Sequence, residues 1–191
     1  MRQLTLSIAR WLRRRVARSW PLSRAYYWLR GLQLTGRPSD EVWYFAYGAN
    51  MNDSAFLGRR GMHPLQWCPG CVRGYQLRFN LEGRPKGKAA PANLCAEPNA
   101  EVWGVLYRIT RTNLVHLDAT EGVPGPRYRH QWLNAQTIDG QSIQAVVYIA
   151  DGLEADGNPS SRYITLLREG ARSHGLPEHW LRHLDDVKHA Q

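Results

Sequence analysis

At 191 residues, with 43% apolar and 21% charged residues, eight Trp and nine Tyr, the chain has the composition of one globular domain with an appendage. No apolar run approaches the length of a membrane-spanning helix, and three Cys in a chain with this much core-forming bulk argue against a disulfide framework and for a reducing compartment. The net charge of +9 lies wholly at one end: residues 1–39 carry nine Arg, no Lys and no acid, and the 16 basic residues that remain of the 25 match the 16 acidic ones.

Leu4, Ile8, Leu12 and Val16 recur every four residues beside Trp11, with Arg10, Arg13 and Arg14 on the other side. This spacing predicts an amphipathic helix over residues 3–19, ended by Pro21, although Arg15 intrudes on its apolar stripe. A shorter aromatic segment, Tyr26 to Leu29, sits between Arg24 and Arg30, and Gly31 with Gly36-Arg37-Pro38 marks a linker. The domain plan is therefore a basic extension and linker over 1–40, a folded domain over 41–185 and a tail over 186–191. Arg with Trp and Tyr on an acid-free amphipathic helix suits an anionic membrane surface, which places the protein in the cytoplasm and at the inner membrane face. An organellar transit peptide over 1–39 is the alternative, as is a helix packed back on the body. Nucleic acid fits on charge alone and is not favoured.

In the body, Tyr44-Phe45-Ala46-Tyr47-Gly48-Ala49-Asn50-Met51 reads as a buried strand delivering a tight loop. If Gly48 takes positive φ, successive N–H groups turn toward one point and form an anion pocket; an ordinary β-turn at the strand end is the simpler reading. Residues 51–61 show no clear period and predict a short helix or loop capped by Asn52, Asp53 or Ser54, with Gly58-Arg59-Arg60-Gly61 as a solvated turn. Cys68-Pro69-Gly70-Cys71 has the form of a redox or half-zinc motif, but it has no second close pair and is followed by strand-like alternation from Val72 to Phe79. Residues 82–90 form a Gly, Pro and Lys loop, after which Ala89, Ala90 and Ala92 are small enough for a ligand to approach the backbone.

Val102 to Tyr107 predicts a strand in which Gly104 marks the close approach of another backbone or a substrate. A helix capped at Thr110 or Thr112, with Leu114 and Leu117 on its apolar face, ends at Glu121-Gly122. Helix-end carbonyls disfavour a negative charge there, and burial would disfavour it further, so Glu121 is a candidate base; a solvated Glu before a Gly cap is the plainer reading. Trp132 to Thr137 and Ile143 to Ile149 predict strands joined at Asp139-Gly140. Residues 151–161 form a polar connection, read as surface rather than as a loop over the site. The final helical region begins near Tyr163, breaks at Gly175-Leu176-Pro177 and resumes through Trp180 and Leu184, with His174, His179, His183 and His189 expected at the surface.

Tyr44 to Asn50, Glu101-Val102-Trp103-Gly104-Val105, Asn113-Leu114, Leu117-Asp118 and Glu121-Gly122-Val123, in this order and spacing, resemble the gamma-glutamylcyclotransferase family; the likeness continues through Tyr128, Tyr163 and Gly175-Leu176-Pro177. The resemblance implies an α+β fold on a small, mixed, partly closed β-barrel with flanking helices, preceded here by the basic N-terminal helix. It implies Glu121 as the general acid/base and a substrate site of Tyr44, Phe45, Ala46, Tyr47, Gly48, Ala49, Asn50 and Tyr163, with Tyr128 in support. It implies no metal or other cofactor, and a γ-glutamyl small molecule as partner, cyclised to 5-oxoproline by its own α-amine with release of an amine or amino acid. The family's usual Ser is Ala49 here, which removes a hydroxyl contact. A non-catalytic γ-glutamyl binding module and a membrane-surface adaptor acting through the Arg-rich extension are the alternatives.

Overall fold

The computed structural model describes residues 19–29, 33–83, 89–123 and 128–190. The helix expected over residues 3–19 falls outside them, apart from its last residue. Five strands form a ring: β1 (Glu41–Ala46), β2 (Gln66–Arg78), β3 (Asn93–Thr110), β4 (Arg129–Thr137) and β5 (Ser142–Ile149), in the order β1-β3-β2-β4-β5. Neighbours along this order are antiparallel, and β5 returns to β1 in parallel through Trp43↔Ala145 and Tyr44↔Val146. The α+β class is as expected, and the barrel is fully closed rather than partly so. Strand β1 is paired on both edges and has the helix Arg111–Glu121 against it, and Tyr44, Phe45 and Ala46 are all buried, in keeping with their continuous apolar run.

Gly104 on β3 is the close approach expected from its place in the strand. A Cβ there would stand 2.3 Å from the Ala46 carbonyl oxygen and 2.8 Å from the Phe45 ring, so any side chain would push β1 out of the barrel. Strand β2 starts at Gln66, earlier than the alternation from Val72 indicated, and Cys68 to Cys71 lie within it. Burial pushes both thiols up, the opposite of what an activated thiolate needs.

Among the described residues four α-helices flank the ring: α1 (Trp20–Leu29), α2 (Arg111–Glu121), α3 (Ser161–Ser173) and α4 (Glu178–Asp185). Pro21 occupies the first turn of α1, where a missing N–H breaks no bond. Helix α1 buries Ser23 and Tyr27, packs Tyr27 against Val115 and Ala119 of α2, and leaves Leu22, Trp28 and Leu29 exposed. Helix α2 begins at Thr110, whose hydroxyl accepts from the Asn113 N–H, and ends at Gly122 in the left-handed conformation. Residues 151–158 run over the surface, bonded to the end of β2 through Leu153 N–H to the Asn80 carbonyl and Gly157 N–H to that of Phe79.

His174 is not a surface residue. It is 5% exposed, its Nδ1 lies 2.9 Å from the Gly170 carbonyl and its Nε2 3.2 Å from the Tyr107 hydroxyl, so it seals the last turn of α3 onto the barrel. None of the described helices is long and apolar enough to cross a membrane.

Candidate active site

The first strand delivers its loop as the sequence indicated, but by other backbone geometry. Beyond β1 the chain makes a 3-10 turn over Ala49–Met51, and Gly48 adopts φ −118° and ψ −148°, outside the left-handed region. The glycine is required for space instead. A Cβ at Gly48 would sit 2.9 Å from the Tyr163 hydroxyl, so the bare backbone is what admits that ring. Tyr163 stands in the first turn of α3, which the Ser160 hydroxyl caps, and its own hydroxyl accepts from the Ala92 N–H at 3.1 Å. The small residues before β3 and the loop after β1 thus meet across one phenol.

Glu121 closes the other side. Its side chain is 14% exposed, and Oε1 accepts from Asn50 Nδ2 at 3.0 Å and pairs with Arg60 at 2.9 Å. Asn50 donates from the same nitrogen to the Tyr44 hydroxyl at 2.8 Å and accepts from Arg60 Nε at 2.6 Å. The loop residue Asn50 therefore bridges strand β1 and the carboxylate at the end of α2.

Arg60 corrects the expectation of a solvated turn at Gly58 to Gly61. Residues Ser54–Arg59 form one π-type turn, with the Arg60 N–H bonded to the Ala55 carbonyl. The wider turn leaves Arg59 exposed and brings Arg60 inward, where its side chain is 23% exposed and its carbonyl accepts from His116 Nε2 at 2.8 Å. Asn52, one of the anticipated caps, accepts from the Ser54 N–H at 3.0 Å.

Tyrosines line the space between loop and carboxylate. The electrostatic surroundings of Tyr47 include Tyr128, Tyr163, Tyr44 and Glu121, and those of Tyr44 include Glu121, Arg60 and Tyr128. Burial pushes Tyr44, Tyr47 and Tyr163 above the usual phenol range, so each remains a neutral hydroxyl able to donate. Tyr47 donates to the Tyr148 carbonyl at 2.6 Å, and the Tyr148 ring meets Tyr44 edge-on at 5.5 Å and Tyr128 at 6.4 Å. Of the residues named from sequence, Tyr44, Tyr47, Gly48, Ala49, Asn50, Tyr128, Tyr163 and Glu121 gather at this place. Ala46 is fully buried in the barrel wall, and the Phe45 ring packs over Gly104 and stacks on Tyr47 at 6.5 Å.

Behind the wall lies a buried acid to which the sequence reading gave no role. Asp118, 1% exposed, accepts from the hydroxyls of Tyr27 and Tyr148 and from His130 Nε2 at 2.6 Å. It ties α1, β4 and β5 to α2, one turn before Glu121. Its sequence signal was its place in the Leu117-Asp118 motif of the family resemblance, which named the residue but not its contacts. Among the described residues no group of three or more His, Cys, Asp and Glu is arranged to hold a metal ion.

Comparison with known proteins finds likeness first in fold and then in sequence. A solved structure titled gamma-glutamyl cyclotransferase superposes with a TM-score of 0.71 at 24% identity, covering 80% of this chain and 90% of its own. A human structure titled as the uncharacterized protein loc79017 gives 0.71 at 25% identity, covering 79% and 90%. The AIG2-like family model matches residues 101–184. The gamma-glutamylcyclotransferase of Mus musculus is 27% identical over 156 residues, 80% of this chain and 82% of the relative, and that of Homo sapiens is 29% identical over 150 residues, 75% and 77%. In fold the chain is similar to a gamma-glutamyl cyclotransferase, and in sequence to curated gamma-glutamylcyclotransferases over most of both chains.

Proposed function

We propose that the protein converts a γ-glutamyl amide into 5-oxoproline and a free amine or amino acid, with Glu121 as acid and base. Likeness in sequence and fold to gamma-glutamylcyclotransferases supports an enzyme, a cyclotransferase. The observation that carries the finer reading is the shared hydrogen bonding of Asn50, which joins the loop after β1 to the Glu121 carboxylate.

The substrate's α-amine attacks its own γ-carbonyl carbon. An N–C bond forms to close the five-membered ring, and the C–N bond to the departing amine breaks. The α-ammonium must lose a proton before it can attack, and the leaving nitrogen must gain one; Glu121 takes the first and returns it to the second. The opening N–H groups of the 3-10 turn have no partner within that turn: the Ala49 backbone bonds the Tyr163 hydroxyl, and the Asn50 N–H stabilises the tetrahedral oxyanion together with a neutral tyrosine hydroxyl. Holding the glutamyl chain folded against the tyrosine wall supplies proximity. No protein nucleophile enters the reaction. A γ-glutamyl substrate whose α-amine is acetylated should be inert while its free-amine parent releases 5-oxoproline; equal release of the amine product from both would exclude intramolecular attack.

A second role, at an anionic membrane surface on the cytoplasmic side, is favoured by α1. Leu22, Trp28 and Leu29 are 55%, 75% and 72% exposed on a helix that also carries Arg24, within a segment of nine Arg and no acid. The full chain is expected to float with phosphatidylserine-containing liposomes and to be released by salt, and a chain lacking residues 1–39 to stay behind. Equal flotation of both forms would remove this role.

A further inference from the structure

We propose that Arg60 is a positioning residue of the reaction, the group that fixes which oxygen of Glu121 faces the substrate. This rests on the cyclotransferase reading above. All three nitrogens of the guanidinium are directed at neighbours in the site: Nε donates to Asn50 Oδ1 at 2.6 Å, NH1 to Thr120 Oγ1 at 2.5 Å, and NH2 pairs with Glu121 Oε1 at 2.9 Å. A guanidinium so engaged ties three groups of the site together. The planar fork is what allows three separate partners to be held at once, and Lys lacks it.

Two geometric consequences follow. By occupying Asn50 Oδ1, Arg60 settles the orientation of that amide, so its NH2 group faces Tyr44 and Glu121. Arg60 and Asn50 then both meet the carboxylate at Oε1, which leaves Oε2 as the oxygen that exchanges protons with the substrate. The pair is shielded from solvent, with side chains 23% and 14% exposed, so its geometry is held rather than averaged by water. Arg60 itself is held from behind: its carbonyl accepts from His116 of α2, the helix that carries Glu121, so the two partners are referenced to the same element.

The test is steady-state kinetics of 5-oxoproline release by wild type, Arg60→Met and Arg60→Lys, with folding followed by circular dichroism and thermal melting. Arg60→Met is expected to lower kcat by about 100-fold, the scale of misplacing a reacting group by about 1 Å, while KM changes by less than about threefold. Arg60→Lys keeps the charge but not the fork and should fall between the two. Added guanidinium should recover part of the Arg60→Met rate at unchanged KM, which a merely structural role would not allow. Folded Arg60→Met with kcat within about threefold of wild type overturns the inference, as does a loss confined to KM. Absence of 5-oxoproline from wild type overturns the cyclotransferase reading itself, and Arg60→Met that does not fold leaves Arg60→Lys to decide by the same kcat criterion.

Discussion

Glu121→Gln is expected to lower kcat by about 1000-fold with little change in thermal stability. The amide keeps an oxygen that can accept from Asn50 and Arg60, the two groups that meet the wild-type carboxylate at Oε1, so local packing survives. What it loses is the capacity to take a proton from the α-ammonium and hand it to the leaving nitrogen. Initial rates of 5-oxoproline release, with melting curves of both proteins, check this. Turnover within about tenfold of wild type would mean that another group moves the proton.

Asp118→Ala should act on stability with a comparably large effect. The carboxylate is 1% exposed and accepts from Tyr27, Tyr148 and His130, which belong to α1, β5 and β4. Removing it leaves three donors buried or half-buried without their acceptor, at a cost of about 3 kcal/mol, or about 10 °C in Tm for a chain of this size. Asp151→Ala, which breaks an ion pair to Arg129 at a carboxylate 95% exposed, should shift Tm by about 1 °C or less. If the two variants melted together, Asp118 would not be what fastens α1 and the sheet to α2.

Legibility followed the range of the interactions. The hydroxyl cap at Thr110, the glycine after Glu121 and the hairpin at Asp139-Gly140 are local chemistry, written within a few residues, and each is where the sequence indicated. Gly104 was legible because a glycine inside an apolar strand has few other uses. Gly48 was recognised for a backbone freedom it does not use; the Tyr163 phenol that demands it lies on another element far along the chain.

Arg60 and His174 were misread for the same reason. A charged or titratable residue in a polar stretch is ordinarily solvated, and only the π-type turn brings Arg60 to Glu121, just as only the packing of α3 on the barrel brings His174 to Tyr107. The parallel join of β5 to β1 involves two residue pairs, too few to leave a pattern, so full closure of the barrel was not readable. Within the site, Tyr44, Tyr47, Tyr128, Tyr163 and Glu121 were given roles through the family likeness, whereas the roles of Asp118, Tyr148 and Arg60 are defined by contacts between elements.

Product identity in oxygen-18 water tests the central claim most directly. Intramolecular attack predicts 5-oxoproline free of the heavy isotope, formed in equal amount with the released amine or amino acid. Free glutamate carrying oxygen-18 in its γ-carboxylate would show that water is the nucleophile and would contradict the cyclisation.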